Sequence, residues 1–266
     1  MSVYYKSILS GWTLALRSIH MQMREHLLGY AWVLIIPALY AICYVYIKRE
    51  LTGADVNNVH YGLDALRAFT GITLLQFWLQ LVRDMSGLVR KQKGMLRGLD
   101  ISATPFVAAV IFESAISLAI RTVLIIIAVP ILGLSLPTDV ISWLLFVSCL
   151  LLLMLSASAI GLLLLPWSAL YADVGKALSS IMLPMLLISP VFYPAVKDID
   201  SWLYWVNSIN PVASPLAIIN ELFHNNDYML YLFPMLIWST IALILSFWSL
   251  FQLRKQVPIL LERIGS

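Results

Sequence analysis

Six long apolar stretches, residues 27–47, 68–82, 122–138, 140–172, 177–196 and 228–253, take up most of this 266-residue chain and restrict it to one class of fold. A helix needs about 20 apolar residues to cross the ~30 Å hydrocarbon layer of a bilayer. The longer runs therefore suffice alone, and the second and third must borrow flanking residues that carry charge. The expectation is an all-α polytopic membrane protein with six transmembrane helices, organised as a single transmembrane domain over 1–266. Composition agrees. With 61% hydrophobic and 12% charged residues and a mean hydropathy of +0.88, a soluble globule would lack the polar surface to cover itself.

Orientation follows from charge, because short cytoplasmic loops collect Lys and Arg. With the N-terminus inside, the inner segments hold twelve such residues: Lys6, Arg17, Arg24, Arg83, Arg90, Lys91, Lys93, Arg97, Lys176, Arg254, Lys255 and Arg263. The outer segments hold four, Lys48, Arg49, Arg67 and Lys197, so both termini are predicted to be cytoplasmic. Cys43 and Cys149 fall inside apolar runs, which indicates neither a disulfide framework nor a metal cluster.

Ahead of the first span, Lys6, Ser10, Thr13, Arg17, His20 and Arg24 recur at spacings of three and four, while Ile8, Trp12, Ala15, Ile19 and Met23 repeat on another face. Residues 1–26 thus read as an amphipathic helix lying in the membrane interface, its cations toward lipid phosphates. A signal peptide is the alternative, but Arg17, His20 and Arg24 follow the apolar part and no small-x-small cleavage site appears.

Along the spans, Asp64 and Arg67 are expected to snorkel to the outer interface. Segment 83–100 is the most charged part of the chain and should be a short cytoplasmic helix with one apolar side. The third span begins near Pro105 and contains Glu113 and Arg121, eight positions apart and so about 80° around a helix. Two roles are open to them: lining a polar path, or pairing with each other, another helix or headgroups. Pro166 is expected to break the fourth span, Asp173 to act as an N-cap, and Pro184 to interrupt the fifth span, which ends at 190–194. Residues 198–227 are too polar to cross and too apolar for a free loop. They fit two short helices dipping into the outer face, joined at Asn210 and Pro211.

No G-x-x-x-x-G-K-[ST], H-E-x-x-H or G-x-S-x-G pattern occurs, and the histidines His20, His26, His60 and His224 are scattered. Nucleotide binding, a metal site and catalysis are therefore not expected of this chain, nor is nucleic acid expected as a partner.

Five stretches in order are similar to the permease subunit of polysaccharide-exporting ABC transporters of the O-antigen, capsule and teichoic-acid type. They are Leu28, Gly29, Trp32 and Pro37; Gly71 with Phe77 and Trp78; Pro166 to Asp173; Ser189 to Pro194; and Asn210 with Pro211. The family often has Arg-Asp before the fifth span, where this chain has Ala172 and Asp173. The resemblance implies a homodimer in the bacterial inner membrane, bound to two cytoplasmic ATPase subunits that hold ATP and magnesium. Its cargo would be a glycan on undecaprenyl pyrophosphate, O-antigen above all. A small drug or lipid moved by the same architecture is the alternative. Candidate path residues are Trp32, Tyr40, Tyr44, Phe77, Trp78, Phe192 and Tyr193, since aromatic faces offer a sliding sugar many weak, similar contacts. Interface anchoring or helix packing accounts equally for such rings. Arg17, Arg24, His26, Leu28 and Gly29 are candidates for meeting the lipid pyrophosphate, and Arg90, Lys91, Lys93 and Arg97 for coupling to the ATPase. Segment 198–227 would form an outer gate.

Overall fold

The computed structural model describes residues 2–25, 31–52, 59–98, 103–224 and 228–263. Its elements are helices throughout: α1 (Ser2–Glu25), α2 (Trp32–Thr52), α3 (Val59–Ser86), α4 (Leu88–Lys91), α5 (Lys93–Gly98), α6 (Thr104–Ile131), α7 (Val140–Leu170), α8 (Asp173–Ser180), α9 (Met182–Ile188), α10 (Trp202–Ile209), α11 (Ala213–His224) and α12 (Met229–Arg263). Helix is the expected answer to long apolar runs, because backbone amides in hydrocarbon must bond within their own segment.

Among the described residues, four helical stretches are long and apolar enough to cross a membrane: Gly62–Ser86, Thr104–Ile131, Val140–Leu170 and Met229–Leu253. Part of the first expected span lies outside the described residues, and its apolar remainder, Trp32–Lys48, is shorter. The fifth expected span is not one helix. Pro184 has no N–H for the Ser180 carbonyl, the chain breaks into α8 and α9 at Ile181, and residues 189–201 run on without helix. Pro166, by contrast, does not end the fourth span, since α7 continues through it to Leu170. Asp173 is not an N-cap either. Ala172 holds that position without a side-chain bond, and Asp173 lies in the first turn, 3.7 Å from Lys176.

Helix α3 is the centre of the bundle, touching α2, α6, α7 and α11. Its contacts are closest where glycine removes the side chain. A Cβ on Gly161 of α7 would stand 2.5 Å from Met85 Cβ, and one on Gly62 would stand 2.6 Å from the Leu132 carbonyl at the end of α6. Trp78 Nε1–H donates to Ser156 Oγ (3.0 Å), tying α3 to α7 by a bond that suits a dry interior.

The amphipathic α1 is seated on α6 through Gly11, where an added Cβ would meet Ala108 Cβ at 2.7 Å, and through the buried Ala15. Trp12 meets Phe112 edge-on, with centroids 5.4 Å apart. Leu9, Leu16, Arg17 and His20 are left exposed, so small residues form the seam and the outward surface mixes apolar side chains with cations.

Candidate functional site

Residues 189–197 form a strap without helix, in turns and bends as far as Tyr193 and irregular beyond it. Backbone outside helices and sheets leaves its carbonyls without ladder partners, and carbonyls shielded from water demand them. Here side chains of the surrounding helices supply the donors. Tyr44 of α2 donates its hydroxyl to the Phe192 carbonyl. Asn220 of α11 donates to that of Pro190 (3.0 Å), and Tyr231 of α12 to that of Val196 (2.8 Å). Asn210 Nδ2 donates to Ser189 Oγ (2.9 Å), while its Oδ1 accepts from the Val212 amide (3.0 Å) and turns the chain into α11. Tyr193 Oη lies within reach of both the Ile188 carbonyl and Asn207 Oδ1. One hydroxyl hydrogen cannot serve both. Turning the Asn207 amide so that its otherwise unpartnered nitrogen faces Tyr193 lets the phenol donate to Ile188 and accept from Asn207.

The strap also needs Gly71. A Cβ there would stand 2.9 Å from Val191 Cγ1 and 3.0 Å from Val191 Cα, so only glycine lets α3 lie against the fully buried Val191. Two separate sequence signals, the glycine of the second span and the Ser-Pro-Val stretch, are thus halves of one contact.

Among the candidate path residues, the structure brings Tyr44 and Phe192 together as stacked rings, 4.8 Å between centroids. Trp32 and Tyr40 are about half exposed (46% and 49%) on the same helix as Tyr44. Spacings of eight and four keep all three within about 120° of arc, a stripe about 18 Å long that ends on the strap. Tyr193 is half-buried beside Phe192. Phe77 and Trp78 lie elsewhere, buried inside α3 and facing no open space in this conformation.

The basic end carries α4 and α5. Lys91 pairs with Asp84 at 2.5 Å, and Arg90 Nη2 donates to the Ala169 carbonyl of α7 (3.4 Å). Lys93 is half-buried on α5, whereas the Arg97 side chain lies outside the described residues. Arg17 is exposed on α1 and lines a cleft of about 630 Å³ with Asp84, Lys91 and Glu113. The Arg24 side chain, like His26, Leu28 and Gly29 as a whole, is outside the described residues.

Within the bundle, Arg121 is tied to another helix. It is buried and reaches α3, donating to the Thr73 carbonyl (2.9 Å) and to Gln80 Oε1 (3.2 Å). Asp64 and Arg67 are held by partners inside the protein. Both are buried, with Arg67 Nη1 3.0 Å from Asp64 Oδ1 and Lys48 closing on the other carboxylate oxygen. A pairing carboxylate and guanidinium can stay inside where a lone charge could not.

Sequence reasoning missed Asn207, Asn220, Glu221 and Tyr231. Glu221 is 2% exposed and 3.5 Å from Lys197 at the strap's far end. The available signal was polar residues set among apolar neighbours in 202–224, which marks side chains turned inward to a polar partner.

Residues 10–223 match the sequence model of the family described as ABC-2 type transporter. No curated protein matches the chain. The matched span covers most of the chain and includes both the strap and the basic end. The chain belongs to the ABC-2 type transporter family, as a multi-pass membrane permease that works with an ATPase subunit.

Proposed function

We propose that this permease subunit exports a lipid-linked polysaccharide, O-antigen above all, across the bacterial inner membrane as a homodimer with two ATPase subunits. The observation that carries the glycan reading is the aromatic stripe of Trp32, Tyr40 and Tyr44 running into the stacked Phe192 on the strap. Ring faces bind sugar C–H surfaces through dispersion, and repeated shallow sites let a polymer advance without a deep minimum. The strap end, with α10 and α11 as the gate, lies outside. The basic end lies in the cytoplasm, where the segment bearing Arg90, Lys91, Lys93 and Arg97 docks on the ATPase, with Lys93 and Arg97 toward that partner's carboxylates. Residues at that interface, Arg17 and Arg24 on α1 with His26, Leu28 and Gly29, draw the phosphates of the undecaprenyl carrier to the membrane surface.

The test is surface polysaccharide per folded permease in cells. Tyr40→Ala and Tyr40→Trp should behave oppositely: truncation lowers export or shifts glycan length, while the larger ring preserves it. Equal export per molecule in wild type and Tyr40→Ala would sink the sliding surface. Intact surface glycans in a permease-null strain that has become drug-sensitive would favour the small-molecule reading, and a capsule or teichoic-acid defect would reassign the glycan. Orientation is checked by single cysteines at Lys91 and Asp55 in a background lacking Cys43 and Cys149. An impermeant thiol reagent should label only the Asp55 site in intact cells.

A further inference from the structure

A cavity of about 490 Å³ opens at the basic end between α3, α4, α7 and α8, lined among others by Gln80, Arg83, Asp84, Arg90, Lys91 and Ser168. Three of these are cations and one is a carboxylate. Because Lys91 and Asp84 sit 2.5 Å apart and neutralise each other, two guanidinium charges remain. Each arginine is fixed in place by one nitrogen: Arg83 Nε donates to the Leu79 carbonyl (3.2 Å) and Arg90 Nη2 to the Ala169 carbonyl (3.4 Å). A guanidinium has five N–H groups in a planar fork, so each keeps donors beyond its anchoring bond, already held in position. Gln80 adds to the set. Its carbonyl accepts from Arg121 (3.2 Å), which leaves its amide nitrogen as the donor.

The neighbouring cleft under α1 is a useful contrast. It is the larger of the two, about 630 Å³, but Arg17 and Lys91 face Asp84 and Glu113 there, so its lining carries no net charge. A phosphate held inside that cleft gains no net attraction, so the part Arg17 plays toward lipid phosphates is confined to the exposed face of α1. Where two anchored arginines converge with one neutralised ion pair, an oxyanion gains both charge and bidentate hydrogen bonds.

We infer that the cavity between α3, α4, α7 and α8 is a phosphate or pyrophosphate site, and that it receives the charged linkage of the cargo lipid before the glycan meets the aromatic stripe. The second half rests on the proposed reading that the cargo rides on a pyrophosphate lipid. The first half rests only on the cavity.

Purified full-length permease in nanodiscs is titrated with farnesyl pyrophosphate, with inorganic pyrophosphate and uncharged farnesol in parallel. Farnesyl pyrophosphate should bind and farnesol should not. Arg83→Gln should weaken binding on the order of tenfold, the usual worth of a charge-assisted hydrogen bond, and Arg83→Lys should recover part of it. Asp84→Asn should tighten binding, because it removes the one negative charge, and a poorly folded variant cannot produce a gain. Unchanged affinity in Arg83→Gln and Asp84→Asn would overturn the site, as would loss of binding in Arg17→Gln alone. If Arg83→Gln instead blocks assembly with the ATPase and leaves farnesyl pyrophosphate affinity intact, the arginines serve that partner's carboxylates and the inference fails. Inorganic pyrophosphate binding as tightly as the farnesyl form would keep the anion site and remove the lipid from it. Intact surface glycans in the permease-null strain would end the export reading without touching the titration.

Discussion

At the strap end, neutral donors from α2, α11 and α12 satisfy carbonyls of one non-helical segment, whereas at the basic end arginines and an exposed Lys91–Asp84 pair border short helices. The difference lies in what each end would lose in water. A carbonyl shielded by packing, Pro190 above all, has no solvent to fall back on, so a missing donor there costs about 1–3 kcal/mol. Exposed charges keep their hydration, and a surface ion pair contributes ~0–1 kcal/mol. The strap end should therefore be read out as stability and the basic end as binding.

The comparison would break first at Gly71. Gly71→Leu forces a side chain into Val191 and should cost about 3 kcal/mol, seen as a large fall in monodisperse permease on size exclusion. A normal yield would mean that the strap is not held against α3. Asn220→Ala should follow at about 2 kcal/mol, since it leaves the Pro190 carbonyl dry and unpartnered, and thermal unfolding in detergent measures it. Tyr44→Phe keeps the ring stack and removes the hydroxyl, so a loss of about 1 kcal/mol isolates the hydrogen bond from the aromatic contact.

Smaller still is the cap of α7. The Ser142 hydroxyl and amide hold the Asp139 carboxyl below its ordinary value. A depressed folded-state value stabilises above the unfolded carboxyl pKa of about 3.9 and loses that contribution as pH falls through the folded value. The melting difference between wild type and Asp139→Asn should accordingly shrink as the solution is acidified, and a difference that grows on acidification would refute the cap. Last, Lys93→Glu with Arg97→Glu should leave stability within ~0.5 kcal/mol while uncoupling ATP hydrolysis from export. If purified permease alone hydrolysed ATP, the basic end would have to be reassigned.

Much of this architecture is legible in the apolar runs, because hydrocarbon admits few backbone solutions. α3, α6, α7 and α12 all sit where those runs place them, and the Asn210–Pro211 joint does separate two short helices. What the runs do not encode is partnership across helices. Arg121 looks like a lone charge until the Thr73 carbonyl and Gln80 appear beside it, 48 and 41 positions away in the chain. Pro166 misleads because a proline inside a long apolar helix loses one bond and can leave the rest of the helix intact. The aromatic residues were recognisable as a group, but Phe77 and Trp78 share a helix with the core, and only packing separates them from Trp32 and Tyr40.

The glycine contacts of α3 have a mechanical meaning. At Gly62, Gly71 and Gly161 a neighbour comes within 3 Å of where a Cβ would be, which leaves no flexible side chain between the surfaces to absorb sliding. Tightly fitted surfaces tend to shift as units, so α3, the end of α6, α7 and the strap should travel together as a stator. Helix α2 is different. An apolar gap of about 500 Å³ separates it from α6, and a stacked ring and a hydroxyl fasten it to the strap. Slack is therefore concentrated between α2 and α6, while the Lys48–Asp64 pair and Tyr44 tie α2 to α3 and to the strap, so its play lies toward α6.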